Sequence, residues 1–299
     1  MENSKSVLGI GTAACDYMAL SPFYPEVDNK VKLCSLDIQG GGPVGTALTV
    51  LSKLGLNTKF AGVLGDDDFG KFILKTLNKN KVDTEYTQIK SAIRSPFAFC
   101  VALKNSGHRT VFSIKGDKME PDFSENTVDE IISQTNFIHV DGSVPETSLK
   151  FLKKAAGKIP SMIDIGALKP GIIELMEKCD YKIASYQFMK EYYKNNYDFH
   201  GFLKKIFTEN TQLSGVTLGK NGSIFYDGHD FFETPAVYNP HVVDTTGCGD
   251  IFHGAFIYGL LQNWDYRKCA EFASAVSSVK VSSLGGQKIK VSLFSVSCK

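Results

Sequence analysis

Short apolar runs alternate with amphipathic stretches along most of this chain. Residues 7–11 are an apolar run closed by small residues ahead of Asp16, a pattern that predicts a buried strand. Residues 44–54 carry Ala47, Leu48, Leu51 and Leu54 at helical spacing, directly after the turn Gly40-Gly41-Gly42-Pro43. Residues 60–64 predict a strand, 65–70 a turn and 71–79 a helix. Further strands are predicted at 137–141, 161–164, 181–184 and 215–218, with helices at 146–156, 170–178 and 199–207 among them. Strand, helix, strand at this rhythm implies a mostly parallel sheet with helices on both faces.

Two regions break the rhythm. Residues 17–39 hold Pro22, Pro25 and mixed alternation, and residues 97–103 and 110–114 are strand-like runs around the hairpin signal Asn105-Ser106-Gly107. There is no internal repeat and no low-complexity linker. Residues 1–299 therefore read as a single α/β domain, with a small strand-built appendage from segments near 17–39 and 95–115.

Composition narrows the class. An apolar content of 43% with 22% charged residues describes a soluble globular protein, and a net charge of +1 leaves no broad basic surface for nucleic acid or an anionic membrane. Seven cysteines, at 15, 34, 100, 179, 248, 269 and 298, are odd in number and form no C-x-x-C pair, as expected of reduced thiols in the cytoplasm. No apolar stretch approaches the roughly 18 residues of a membrane span.

The richest chemistry lies in Asp244-Thr245-Thr246-Gly247-Cys248-Gly249-Asp250, ahead of a helix predicted at 251–261. Glycines at a helix start leave backbone N–H groups uncovered for an anion, and a carboxylate beside them can act on whatever that anion carries. Taken alone, the stretch reads equally as a glycine-rich loop with a capping aspartate. Other candidates fail. Gly9 and Gly11 begin a dinucleotide fingerprint, but Ala14 stands where the third glycine belongs. The turn Gly65 to Lys71 imitates a P-loop, but Phe72 replaces the metal-binding hydroxyl and three aspartates would repel phosphate. The same aspartates lack the spacing of a calcium loop.

Taken together, an early strand leading to Asp16, the Gly41-Gly42 turn, Gly65-Asp66 to Gly70, Thr217-Leu218-Gly219 and Asp244 to Asp250 resemble the ribokinase-like (PfkB-type) carbohydrate kinase family. The resemblance runs from Gly9 to about Gly286. It implies a three-layer α/β/α fold with a mostly parallel central sheet and a small β-sheet lid, and an ATP- and Mg²⁺-dependent kinase acting on a hydroxyl of a sugar or sugar-like small molecule. By the same resemblance Asp250 is the catalytic base, and Gly247, Cys248 and Gly249 form the anion hole. Asp16, Gly41, Gly42 and Thr46 fall on the sugar side; Thr217, Gly219, Gly222 and Ser185 fall on the nucleotide side. For Asp16 a turn or capping role is the alternative.

Three departures from the family pattern bear on detail. Cys248 replaces an alanine. Ser185 and Phe188 replace the asparagine and glutamate of the N-x-x-E segment associated with Mg²⁺, leaving the metal's ligands unassigned. Thr46 replaces an asparagine, which puts ribose specificity in doubt. Arg109 lies on the expected lid, as a contact to phosphate or an acidic sugar or as a solvated hairpin arginine. His253 falls one helical turn past Asp250, where packing is the better reading. A nucleoside kinase of the same fold and a weakened sugar- or nucleotide-binding sensor remain as alternatives, and unpaired lid edges suggest a homodimer.

Overall fold

The computed structural model describes residues 5–289 apart from 105, 107, 118 and 195–197; the turn residues Asn105 and Gly107, and Cys298, lie outside the described residues. The chain opens with β1 (Ser6–Ile10), β2 (Ala14–Ser21), β3 (Ser35–Gly41), α1 (Pro43–Lys53), β4 (Asn57–Gly65) and α2 (Asp68–Lys79). Short strands β5 (Val82–Asp83) and β6 (Thr87–Lys90) precede β7 (Phe97–Leu103) and β8 (Arg109–Ile114). Then come α3 (Glu125–Ser133), β9 (Phe137–Val140), α4 (Pro145–Ala155), β10 (Ser161–Ile165) and α5 (Ile172–Lys178). They lead into β11 (Tyr181–Ser185), α6 (Tyr186–Tyr192), α7 (Phe199–Ile206) and β12 (Leu213–Thr217). The hairpin strands β13 (Ser223–Tyr226) and β14 (Phe231–Thr234) and helices α8 (Cys248–Leu261) and α9 (Tyr266–Lys280) complete the described chain.

The large sheet runs β14-β13-β12-β11-β10-β9-β1-β4-β5, with β6 beside the far half of β4. From β12 to β5 every pairing is parallel, and only β13 and β14 are antiparallel. Alternation along β1 sends Val7 to one face and Leu8 and Ile10 to the other. The first face is covered by α1, α2, α8 and α9 through residues such as Leu48, Leu77, Phe256 and Phe272. The second is covered by α3 to α7 through Val128, Phe151, Leu175, Phe188 and Phe202. Each such side chain, fully buried, contributes about 1.5–3 kcal/mol.

The chain steps from β1 to β4 on one side of the sheet and builds β9 to β12 on the other. In such sheets the crevice beyond the carboxyl ends of the strands flanking the reversal is open to ligands. Here the flanking strands are β1 and β9, and a separate four-stranded sheet, β3-β2-β7-β8, is made from the two regions that broke the helical rhythm. Its core pairing, β2 with β7, is parallel, while β3 and β8 add antiparallel edges.

The acidic turn at 66–68 has a local purpose. Asp67 caps α2 by accepting from the Gly70 N–H at 2.7 Å, and it also accepts from the Ser95 N–H at 2.9 Å. Burial works against its charge, yet these hydrogen bonds hold its carboxyl below the usual range. Helix α9 and the hairpin β13–β14 were not among the predicted elements. Polar and small residues interrupt the apolar stripe of α9, which Asp265 nevertheless starts by accepting from the Lys268 N–H at 2.9 Å.

Candidate active site

The crevice at the reversal point is lined by carboxylates. Asp141 follows β9 directly, is 1% exposed, and accepts from the Thr12 N–H (3.0 Å) and from Ser143 N–H and Oγ (2.9 and 2.6 Å). Burial alone would raise its carboxyl, but the Lys169 ammonium and these donors hold it below the ordinary range. It therefore ties the end of β1 to the end of β9 as an anion. Gly11 leaves the necessary room, since a Cβ there would lie 2.4 Å from Asp141 Oδ1.

Asp16, on β2, enters from the small sheet and is 9% exposed. None of the described residues donates a hydrogen bond to its carboxylate. Burial first, then the negative charges of Asp250 and Asp244, push its pKa up to about 7. Gly41 lies against it: a Cβ at 41 would meet Asp16 Oδ2 at 2.0 Å and Cγ at 2.3 Å. Gly41 thus makes space for Asp16. Gly42 is the turn itself, with φ 80° and no room for a side chain beside the Thr12 carbonyl (2.6 Å), and Pro43 opens α1 behind it. Thr46, on the first turns of α1, is 1% exposed, and its methyl faces Gly247 and Gly286. It backs the glycine loop.

That loop is built around Asp244, which is completely buried. Its Oδ1 accepts from Thr246 N–H (2.9 Å) and Oγ1 (2.7 Å), and its Oδ2 accepts from Gly285 N–H (2.8 Å) and pairs with Lys280 Nζ at 3.2 Å. Burial opposes the charge, but Lys280 and these donors keep the carboxyl low. Gly247 is the N-cap of α8 at φ 76°, pressed to within 3.0 Å of Gly286 were it given a Cβ. Gly249, by contrast, faces open space: nothing lies within 4 Å of where its Cβ would be. Cys248 is half-buried, its N–H directed at Thr245 O (3.3 Å), and burial raises its thiol, so the helix dipole does not make it a reactive thiolate.

Asp250 follows in the first turn of α8, with Asp164 from the end of β10 and His253 one turn on. His253 Nδ1 approaches Asp164 Oδ2 at 3.3 Å and its Nε2 lies 3.3 Å from the Ile183 carbonyl. Burial raises both Asp164 and Asp250 well above the ordinary range; the Asp141 charge adds to it at Asp164 and the Asp164 charge at Asp250, against partial relief from Lys169 at Asp164 and from His253 and Arg109 at Asp250. Burial lowers the His253 pKa. Asp250 is therefore a strengthened base at the positive end of a helix.

The residues expected on the nucleotide side sit at the next strand ends. Register pairs Ser185 of β11 with Thr217 of β12, so both stand at the carboxyl edge of the sheet. Gly219, at φ 60°, faces open space, and Gly222, at φ 88°, has Thr234 O only 2.1 Å from a would-be Cβ. Ser185 Oγ donates to Gly166 O (3.1 Å) and accepts from Phe188 N–H (3.0 Å), which caps α6. Phe188 is completely buried and stacked on Tyr192 at 5.4 Å. Among the described residues no three His, Cys, Asp or Glu side chains converge to hold a metal ion. The donor set fits Mg²⁺ only as an ion that would be carried by phosphate and water.

The small sheet also reaches the glycine loop. Arg109, the first residue of β8, donates from Nη1 to Thr245 Oγ1 at 2.7 Å. The guanidinium is thereby fixed beside the start of α8.

A carboxylate with a raised pKa and uncovered backbone at one helix start are what an anion-handling site needs. Residues 5–291 match the pfkB family carbohydrate kinase model. The chain belongs to the pfkB carbohydrate kinase family. It is 26% identical over 268 residues to the 5-dehydro-2-deoxygluconokinase of Geobacillus kaustophilus, covering 82% of this chain and 79% of that one. It is also 26% identical over 285 residues to the ribokinase of Lactococcus lactis, covering 93% and 91%. The structure of Arabidopsis thaliana ribokinase complexed with ribose and ATP has the same fold, with a TM-score of 0.79 at 21% identity over 93% of each chain. The α/β architecture and the family expected from the sequence are thus those found, and the chain is a carbohydrate kinase. Among the described residues no helix is long and apolar enough to cross a membrane.

Asp141, Asp164 and Lys280 were missed in the sequence. Asp141 and Asp164 had a usable signal: each is an acid at the carboxyl end of a short, largely apolar strand, where an α/β sheet places its ligands. Lys280 had none, because a lysine ending a helix is ordinarily solvated.

Proposed function

We propose that this kinase transfers the γ-phosphoryl group of ATP to a hydroxyl of a neutral sugar or sugar-like polyol. The observation that carries this reading is the Asp16 carboxylate, nearly buried yet without a donor among the described residues, within electrostatic reach of Asp250 at the start of α8. A carboxylate left in that state is best satisfied by hydroxyl donors, and two adjacent hydroxyls suit its two oxygens. An anionic acceptor would meet the repulsion that already raises Asp16. A nucleoside presents the same diol through its ribose.

In this reading Asp250 accepts the hydroxyl proton as the oxygen attacks, and a base with a pKa raised toward the working pH is suited to that task. The N–H groups of Gly247 and Gly249 and the α8 dipole stabilise the charge on the transferring group, while the Cys248 N–H, expected in the same role, is turned to Thr245 O. Arg109 lies over the same oxygens and supplies a fixed cation. Thr217, Gly219 and Gly222 line the nucleotide cleft, with Ser185 at its edge. When bound, Mg²⁺ neutralises charge on the nucleotide phosphates. The small sheet acts as a lid over the acceptor, and its apolar exposed residues Leu36, Ile38, Val111, Phe112 and Ile114 favour pairing with a second copy of the chain.

The test is ADP release with Mg·ATP across neutral sugars, polyols, sugar acids and nucleosides. Turnover with a neutral polyol or nucleoside is expected, and Asp250→Asn should lower kcat at least about 100-fold while nucleotide affinity holds. ATP binding with no turnover on any acceptor would refute the kinase assignment of the site in favour of a sensor.

A further inference from the structure

Lys182 and Lys280 are both completely buried, and they do different things. Lys182 Nζ donates to Ile206 O (2.9 Å) and Thr208 Oγ1 (2.7 Å), fastening β11 to the segment after α7, away from the strand ends that form the crevice. Lys280, the last residue of α9, donates to the main-chain carbonyl of Asp244 at 2.6 Å and lies 3.2 Å from Asp244 Oδ2.

A buried ion pair is a poor way to gain stability, because desolvating both charges offsets most of their attraction, and an apolar pair of the same volume fastens two elements as well. What an apolar pair cannot supply is positive charge. At Lys280 that charge sits immediately behind the glycine loop. Asp244, which it grips by carbonyl and carboxylate together, in turn orders Thr246 and the 283–286 turn against Gly247. The field reaches further: burial raises the Cys248 thiol, and Lys280 is the strongest influence pulling it back. A main-chain carbonyl and a carboxylate converging on one point are also hard-oxygen ligands of the kind that hold a small cation when no ammonium is there.

Given the kinase reading above, we propose that the Lys280 ammonium is a built-in monovalent cation for the anion hole. It is a positioning residue that holds the Asp244–Gly247 loop in its phosphate-binding shape and makes the protein indifferent to dissolved monovalent cations.

The experiment compares wild type, Lys280→Ala and Lys280→Met in potassium, ammonium and choline salts at matched ionic strength, by thermal shift and by kinetics. Wild type should show the same Tm and kcat in all three. Lys280→Ala leaves an acceptor-lined void; in choline it should lose at least about tenfold in kcat, and potassium or ammonium should restore several-fold of that loss and raise Tm. Lys280→Met fills the void without charge, so it should lose activity and resist rescue. Potassium or ammonium stimulation of wild type would overturn the proposal, as would a folded Lys280→Ala whose Tm and kcat ignore the salt. Should Lys280→Ala fold only in potassium or ammonium, that dependence itself supports the built-in cation. If wild type phosphorylates no acceptor, the kinase reading falls, while the thermal shifts still decide the role of Lys280.

Discussion

Gly41→Ala separates the lid's contribution from the rest of the site. A Cβ at 41 would lie 2.0 Å from Asp16 Oδ2 and 2.3 Å from its Cγ, well inside the contact distance of about 3.4 Å, so the carboxylate must retreat by about 1 Å or more. Gly41 itself is in regular β-sheet register with Ala14, and alanine suits that backbone, so the fold has little reason to fail. A hydrogen bond to a charged group contributes about 1.5–3 kcal/mol, and Asp16 is placed to accept two from an acceptor diol. If the displaced carboxylate keeps one of them weakly, the loss is about 2–4 kcal/mol, or a factor of about 30 to 900 in kcat/KM. The assay is steady-state kinetics with the acceptor varied at saturating Mg·ATP, alongside ADP titration calorimetry. A rise in acceptor KM with unchanged ADP affinity is expected. A Gly41→Ala enzyme with acceptor KM within threefold of wild type would refute the view that Gly41 exists to make room for Asp16.

Other consequences can be checked directly. Arg109→Ala should lower kcat about 10- to 100-fold with little change in acceptor KM, because the guanidinium lies over the start of α8; an unaltered kcat would make the Thr245 contact structural only. In the ligand-free protein Asp16, Asp164 and Asp250 all hold protons that the unfolded chain would release near pH 4, so across about pH 4 to 7 the folded state binds more protons and stability falls as pH rises. Asp16→Asn should therefore raise Tm at pH 8 and flatten that slope, as differential scanning calorimetry would show; an equal slope would remove Asp16 from the account. Light scattering at micromolar concentration should give twice the monomer mass if the lid pairs two copies.

Most of the sheet could be read from the sequence, because parallel strands buried on both faces are short continuous apolar runs and few other structures look like them. The stretch Asp244 to Asp250 was legible for a different reason: loop, helix start and carboxylate are contiguous. What escaped were relations across the chain. Asp16 and Gly41 were each noticed, but that one exists to accommodate the other depends on β2–β3 register. Ser185 drew attention as a departure, and only the Phe188 N–H at 3.0 Å reveals it as a helix cap. Asp164 meets His253 across 89 residues, and Lys280 meets Asp244 across 36, distances over which local periodicity carries no information.

Strand β3 ends at Gly41 and α1 begins at Pro43, with Gly42 alone between them. The lid therefore continues into the helix that bears Thr46 against the Gly247–Gly286 contact. This connection limits how the enzyme can evolve. A substitution that reshapes the small sheet for a new acceptor also tilts α1 and disturbs the loop proposed to hold the transferring phosphate, so on that proposal changes of acceptor and changes of phosphate handling are inherited together. Descendants with new acceptors would be expected to carry paired substitutions, one in β2 or β3 and one near Thr46 or Gly286, whose effects do not add.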